Sequence, residues 1–435
     1  MNPRLAYIGI LLLSLVGYVG MGYFIERSDF VSLITCFSGL FLLYFLFLRG
    51  RCSWTWKQLF WIAMILRFSQ LFVMPPLSDD YHRFLFDGQM IVQGENPYLI
   101  LPQDYQPVED SDYLEELVKQ MNSPSYFTIY PPVSQFVFAT AAKLSGGNIL
   151  WGVVVLRLIL LLFEGILLWL LPKILEKLGL PAQQMAWYAL NPLVILEVAG
   201  NLHFEAMVLT FLALAFWFFR SKGVVLAAVC MALAISTKLL PVILFPLLWK
   251  PLGRQRWKFY LLSALFTLIL FLPFMSMELW NHWSQSLDLF FRSFEFNASV
   301  YYLLREAGSF WYGYNPIQML GPFLSLVALV LVLTISWNKK VAPLNKPVWV
   351  YAIFLFCATT VHPWYVVTLC GLGVVSNQRW MYVWSALIPL SYAHYIGGGF
   401  AENYVLIAVE YTLLLLFILL ERRGSVRHWF SRDLT

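Results

Sequence analysis

Charge is scarce in this 435-residue chain: Asp, Glu, Lys and Arg make up 12% of it, about half of the roughly 25% found in soluble globular domains. So little charge cannot cover a water-facing body, and a soluble globular protein is excluded. Cysteine is sparse and scattered, with Cys36, Cys230, Cys357 and Cys370 in apolar runs and Cys52 in a loop. With no Cys-x-x-Cys and no outer pair, neither a disulfide framework nor a zinc site is indicated. Nothing in the pattern points to nucleic acid. What is abundant is apolar: 60% of residues are hydrophobic and 18% aromatic, including 18 Trp, 23 Tyr and 36 Phe. The long apolar runs exclude fibrous and disordered chains and leave an all-α polytopic membrane protein. Aromatic rings in this number suit headgroup belts.

Segments long enough to span a bilayer (about 20 residues for a helix) start at once, at 5–25, 30–48 and 58–75, the third carrying Arg67. The first is too long for a signal peptide, is preceded by Arg4 alone and is followed by no small-residue cleavage site. Further apolar segments cover 150–172, 184–201, 204–219, 259–278, 316–336, 380–396 and 403–420. Two stretches, 223–250 and 347–376, exceed a straight span and are interrupted by Lys238 with Pro241 and by His362-Pro363. Proline breaks the helical ladder, and broken membrane helices persist where they line a polar cavity. Both read as bent hairpins with their corners at a site; one kinked, tilted helix in each place is the alternative. With the N-terminus inside and both hairpins folded, twenty of the 29 Lys and Arg fall in inside loops, as the positive-inside rule requires. The basic tail, with Arg422, Arg423, Arg427 and Arg432, then rests at an anionic inner leaflet. Residues 131–146, opened by Pro131-Pro132, are too short to cross and read as a half-inserted or surface helix on the outer side. The expectation is one integral membrane domain over 1–435, with about 13–14 spans. Residues 1–48 form two N-terminal helices, and 77–146 an extracytoplasmic loop with amphipathic juxtamembrane helices.

Ten of the 24 acidic residues sit in the outer loop 77–130, against Arg83 and Lys119 as its bases. The run 109–116 reads as a solvated face. The loop's start differs, because Ser78-Asp79-Asp80-Tyr81-His82-Arg83 follows Pro75-Pro76 directly and sets two carboxylates at the membrane boundary. A helix capped by Ser78 puts Asp80, Arg83 and Asp87 on one self-paired stripe. Its other faces, with Tyr81, Phe84, Leu85 and Met90, suit the membrane surface. It should stop at Gly94, with a turn at Asn96-Pro97.

The run Ser78-Asp79-Asp80-Tyr81, with Arg83, Leu85, Asp87 and Gly88 behind it and Gly94, Asn96, Pro97 and Tyr98 following, resembles the first outer loop of GT-C glycosyltransferases. It is most similar to that of the bacterial polyprenyl-phosphate-mannose-dependent mannosyltransferases. In the same order, Tyr130-Pro131-Pro132, Asn191-Pro192 with Glu197, Gly200-Asn201, His203 and Glu205, Lys238-Leu239-Leu240-Pro241 and His362-Pro363-Trp364-Tyr365 resemble further elements of that family. Two features depart from it. The acidic loop follows the third span rather than the first, so residues 1–48 are an N-terminal addition or the span count is lower. Glu205 stands where Asp is usual.

The resemblance implies a GT-C-like fold and inverting transfer of a hexose, mannose by that family, from a polyprenyl-phosphate carrier to an acceptor hydroxyl. The partners implied are this lipid-linked donor, a glycan, lipid or protein acceptor, and membrane lipids, at the outer side of a bacterial inner membrane. The donor is a substrate, so no cofactor is expected, and no glycine-rich loop after a strand favours a cytosolic nucleotide sugar. Because phosphate is a weak base, such chemistry needs a carboxylate for the acceptor's proton and a cation for the leaving charge. Asp80 is the expected base, since it shares the stripe with Arg83, with Asp79 orienting the acceptor; the reverse order stays open. Lys238, alone in an apolar stretch at a hairpin corner, is the expected phosphate ligand, the alternative being a snorkelling lysine. Arg83 and Tyr130 are expected to contact the donor too. Arg67 and Arg157 are second choices, Arg157 two turns from Glu164 as a possible pair. His203 and Glu205 are expected to bond sugar hydroxyls, or else to cap and solvate a span end; their spacing is poor for a metal. His362 is expected on the lipid or sugar, or else marks a packed helix break. A lipid-linked-sugar flippase or transporter also uses broken helices and cavity charges, but the acids concentrated in one outer loop favour an enzyme. Asn297-Ala298-Ser299 matches a glycosylation sequon, a pattern that often arises by chance.

Overall fold

The fold follows from a computed structural model of the chain, which describes residues 3–50, 54–106 and 112–424. Arg51, Cys52, Glu109, Asp110, Arg427 and Arg432 lie outside the described residues. The helices in chain order are α1 (Pro3–Phe24), α2 (Phe30–Arg49), α3 (Trp56–Phe68), α4 (Asp80–Val92), α5 (Asp112–Gln120), α6 (Pro132–Ser145) and α7 (Ile149–Lys177). Next come the short α8 (Ala186–Ala189) and α9 (Pro192–Ile195), then α10 (Glu205–Arg220), α11 (Val224–Thr237), α12 (Phe245–Leu248), α13 (Arg256–Phe271) and α14 (Met277–Arg292). The last are α15 (Val300–Tyr312), α16 (Ile317–Trp337), α17 (Lys346–Cys357), α18 (Pro363–Gly373), α19 (Trp380–Leu387) and α20 (Tyr404–Arg422). Among the described residues the one extended pairing is an isolated bridge between Phe296 and Thr360.

Among the described residues six helices are long and apolar enough to cross a membrane: α2, α7, α16, α20 and the segments Leu5–Phe24 and Gly253–Phe274. They make the chain an all-α polytopic membrane protein. A seventh crossing follows if Pro192–Gly200 and Glu205–Arg220, bent by 108° at their junction, form one broken span. The expected count of about 13–14 includes stretches that the structure builds from shorter pieces. The segment 58–75 is the thirteen-residue α3 and a turn, and 380–396 is α19 running into a 3-10 stretch, Ile388–Gly398. Proline explains the breaks at Asn191-Pro192, Pro241 and Pro363, since it removes a donor and clashes with the preceding turn. The two expected corners are broken as read: Lys238 is extended after α11, and α17 and α18 flank 358–362 and pack on each other.

The chain divides into two compact units. The first comprises Met1–Pro76, Gly165–Glu205 and Glu295–Thr435. Within it α1, α2 and α3 pack together, as do α17 to α20. Asp29 caps α2 through the Ser32 N–H, and a reciprocal Thr55–Gln58 box opens α3. The fully buried Arg67 donates to the carbonyls of Ala63 (3.1 Å) and Ala189 (2.7 Å), so it caps the buried C-terminal end of α8.

The second unit comprises Leu77–Glu164 and Ala206–Phe294. Its centre is α4 against α6, flanked by α5 and α11, with α13 packed on α11. The start of α4 is Asp80, two residues past the expected Ser78 cap, and it ends before Gly94, whose φ of +85° suits glycine. Tyr81, Phe84, Leu85 and Met90 are buried by protein, Phe84 lying on Phe138 at 4.5 Å, so α4 does not present them to a membrane surface. On α6, Val133, Gln135, Phe138 and Ala141 are buried against protein, while Phe136 and Leu144 stay exposed.

The close approach of α4 and α6 depends on Gly88. A Cβ there would lie 2.2 Å from the carbonyl oxygen of Phe138 and 2.4 Å from its carbonyl carbon. Both are backbone atoms, which no rotamer change can move. Gly88→Ala is therefore expected to destabilise by about 3 kcal/mol, the upper part of the overpacking range, read as a lower thermal midpoint in detergent. Gly20→Ala, where a Cβ meets nothing within 4 Å, is the control and should not lower it. Equal midpoints for Gly88→Ala and the parent would refute the close-packing account.

Candidate active site

In the second unit, Asp80 opens the first turn of α4, where the helix N-terminus favours a negative charge. Its Oδ1 accepts a hydrogen bond from Asn122 Nδ2 (3.0 Å), and its Oδ2 one from the Tyr130 hydroxyl at 3.4 Å. Burial pushes the Asp80 carboxyl above the usual range, aided by the neighbouring Asp79 charge. The Asn122 and Tyr130 bonds and the Lys238 ammonium oppose that rise. The result is a half-buried carboxylate with two oriented donors and a cation in reach. Asn122 carried no signal in the sequence, because it joins Asp80 only through the folded loop. Asp79 caps α4 by position, without a side-chain cap bond.

The expected stripe forms in part. Arg83 Nε donates to Asp87 Oδ1 at 2.7 Å, but Asp80 turns to Asn122 and Tyr130. Arg83 Nη1 donates to the carbonyls of Ser123 (3.2 Å) and Tyr126 (2.7 Å). Arg83 is thus buried and holds the segment bearing Asn122, a different placement from the donor contact the resemblance implies. Asp87, also fully buried, accepts at Oδ2 from Gln135 Nε2 (3.0 Å), which also reaches Thr128 Oγ1 at 3.1 Å.

Tyr130 is held by its own backbone. Its carbonyl accepts from the Tyr98 hydroxyl (2.6 Å), and its ring meets Phe84 and Phe138 edge-on. The Asn96-Pro97-Tyr98 turn is in turn tied to Phe274 by Asn96 Nδ2 (3.0 Å). From α14, Ser286 Oγ donates to the Phe127 carbonyl (2.9 Å), and His282 stacks on Phe127. The motif around Asn96 therefore places the Tyr130 hydroxyl. Lys238, half-buried at the C-cap of α11, follows Thr237, whose carbonyl accepts from Ser134 Oγ (2.8 Å) near the start of α6. Arg157 and Glu164 lie fully buried along α7.

The first unit gathers the other expected residues. Asn191 caps α9 through the N–H groups of Leu193 and Val194 and donates to Ser385 Oγ (2.8 Å). A π-helical turn, Leu196–Gly200, and Leu202 at φ +66° then swing the chain into α10. His203 and Glu205, 2% and 1% exposed, are enclosed rather than solvated at a span end. The His203 ring stacks on Trp364 at 3.9 Å, and Trp364 on His362 at 4.2 Å, so two distant motifs meet as one ladder. His362, Trp364 and Tyr365 keep half-exposed edges. Asn297 is fully buried, with Nδ2 3.2 Å from Glu410 Oε2, so the sequon cannot receive a glycan in the folded chain. Among the described residues no three His, Cys, Asp or Glu side chains form a metal-binding group.

A sequence model described as "Alpha-(1->6)-mannopyranosyltransferase, N-terminal domain" matches residues 14–251. That span takes in Asp79, Asp80, Arg83, Tyr130, Glu197, His203, Glu205 and Lys238, and leaves His362 beyond it. It also includes the second half of α1 and all of α2, so these lie within the family's domain. A probable alpha-(1->6)-mannopyranosyltransferase of Mycolicibacterium smegmatis is 25% identical over 192 residues, 43% of this chain and 31% of its own length. Alpha-(1->6)-mannopyranosyltransferase A of Mycobacterium tuberculosis is 26% identical over 148 residues, 34% of this chain and 27% of its own. The protein of that name in Corynebacterium glutamicum is 22% identical over 177 residues, 40% of this chain and 35% of its own. The matches thus span about a third of each relative. With more than half of its residues matched in one continuous stretch, the chain belongs to the alpha-(1->6)-mannopyranosyltransferase N-terminal-domain family.

Proposed function

We propose that the chain is an inverting α-mannosyltransferase. It takes mannose from a polyprenyl-phosphate carrier and gives it to a hydroxyl of a glycan, lipid or protein acceptor. The active side is the extracytoplasmic face of a bacterial inner membrane, in line with the sequence reading that puts twenty of the 29 basic residues in inside loops. The observation that carries the reading is the Asp80 carboxylate at the start of α4, aimed by Asn122 and Tyr130 within the field of Lys238. The relatives' names supply the sugar.

In the proposed step the acceptor oxygen bonds to the anomeric carbon on the face opposite the phosphate. The bond from that carbon to the phosphate oxygen breaks with its electron pair, and the acceptor's proton passes to Asp80. Polyprenyl phosphate leaves as an anion, so no general acid is needed, and Lys238 stabilises its charge. Burial raises Asp80 toward the operating pH, which makes it a stronger base than an ordinary surface carboxylate. Asp79 orients the acceptor. Arg83 acts here as a positioning residue, since it fixes the segment carrying Asn122.

Asp80→Asn is expected to lower transfer from radiolabelled polyprenyl-phosphate mannose by about 10²–10⁴-fold, with folding and donor binding kept. Undiminished turnover by Asp80→Asn would remove the base assignment. Movement of the labelled lipid across vesicles with no glycosidic product would establish a flippase instead. Transfer requires Asp80 ionised, so the rate should fall on acidification at a pH above the ordinary carboxylate range. Asn122→Ala removes a bond that favours the ionised form, and the acid limb should then shift to higher pH. A limb that stays put or moves down would show that Asp80 does not set it.

A further inference from the structure

Helix α14 lies beyond residues 14–251, the stretch matched by the family, yet it reaches the segment that carries Tyr130. Both belong to the second unit. Ser276 caps the helix through the Leu279 N–H (3.0 Å), just after the span Gly253–Phe274. Positions 279, 282, 283 and 286 follow the i, i+3, i+4, i+7 spacing of one helix face. That face packs inward, with Leu279 and Ser286 buried, while Asn281, Ser284, Gln285 and Asp288 are exposed.

Residues 127–130 lie outside any helix or strand, so their backbone carbonyls must find partners elsewhere. At the two ends, the Tyr126 carbonyl accepts from Arg83 Nη1 and the Tyr130 carbonyl from the Tyr98 hydroxyl. Between them α14 supplies the donors. Ser286 Oγ donates to the Phe127 carbonyl at 2.9 Å, and Trp283 Nε1 to the Ile129 carbonyl at 3.4 Å. The His282 ring lies flat on Phe127, 3.8 Å between centroids. The same helix steadies the Tyr98 turn: Leu279 packs with Phe274 around Tyr98, and His282 Nδ1 lies 3.3 Å from the Tyr98 carbonyl.

Phe84 and Phe138 meet the Tyr130 ring edge-on. Edge-on contacts still let a ring slide in its own plane, so the backbone sets how near the hydroxyl comes to Asp80. That hydroxyl is 3.4 Å from Asp80 Oδ2, and a displacement of a few tenths of an ångström decides whether it donates.

We propose that Ser286 and Trp283 of α14 are positioning residues for the transfer site: they hold the 127–130 backbone so that the Tyr130 hydroxyl stays on Asp80. The inference deepens the transferase reading and rests on it for its kinetic consequence, not for its geometry.

Full-length protein in nanodiscs tests it. Ser286→Ala combined with Trp283→Phe removes both donors and keeps an aromatic ring. Transfer from polyprenyl-phosphate mannose should fall about 10–100-fold, the scale of a slightly misplaced group. The acid limb should move to higher pH, because the Tyr130 bond favours ionised Asp80 and its loss raises the carboxyl. Asn122, Asp79 and Lys238, the other groups acting on Asp80, are left in place. Tyr130→Phe should move the limb the same way. Adding the α14 changes to Tyr130→Phe should move it no further, since residues acting through one another are not additive. Ser286→Thr keeps a hydroxyl and should keep the parent limb, and Gln285→Ala on the exposed face should alter neither rate nor limb. A parent-like limb in the double variant, or its full shift repeated on top of Tyr130→Phe, would overturn the proposal. Infrared titration gives a readout free of activity. The protonated-carboxyl band lost in Asp80→Asn should appear at higher pH in the double variant than in the parent. If the double variant fails to fold, Ser286→Ala alone carries both measurements. An unmoved Asp80 band in the folded variant would refute the positioning role. An inactive parent whose band moves as expected would count against the transferase reading alone.

Discussion

A guanidinium and a carboxylate buried one helical turn apart hold the site together. Arg83 and Asp87 meet at 2.7 Å with almost no exposure, where an unpaired charge of either sign would cost several kcal/mol. The need to satisfy them recruits everything nearby. Arg83 takes the carbonyls of Ser123 and Tyr126, and Asp87 takes the amide of Gln135. The loop with Asn122, the backbone beneath Tyr130 and the first turns of α4 and α6 are thereby fixed relative to one another. Asp80 inherits its two donors from that arrangement rather than from its own neighbours in sequence.

The same demand explains the irregular backbone of the other unit. Long apolar helices need few polar partners, and α16 and α20 run with most of their hydrophobic faces open. Three bends or breaks in that unit carry or adjoin such groups: the π turn before His203, the unwound 358–362 that ends at His362, and the left-handed Asn297 beside Glu410. Each break places polar groups where a regular helix would have left them facing hydrocarbon. Asn297 shows how context overrides a short pattern, since Glu410, Glu402 and Tyr411 bond to it and leave no room for a glycan.

Much of this was legible in the sequence. Helix class and the long spans follow from apolar run length, and the corners at Lys238 and His362 from lone polar residues beside proline. The spacing from Asp80 to Asp87 gave the helix and half of its stripe, because i and i+4 share a face. The cap at Ser78 was misplaced because Ser, Asp and Asp compete for it. The membrane-facing side expected of α4 was misread because an apolar face looks the same whether lipid or α6 covers it.

The sequence by itself determined where charge is scarce and where it gathers, which runs are apolar enough to cross a membrane, and which residues interrupt them. Those properties depend on neighbours within a few turns. Only the tertiary structure decided that Arg83 is enclosed, that Asn122 and Tyr130 aim Asp80, that His203 and His362 share one ladder, and that Tyr392 reaches Glu197 across 195 positions. Such contacts depend on backbone directions set by π turns, left-handed residues and the close approach at Gly88, and hydrogen-bond geometry tolerates errors of only a few tenths of an ångström.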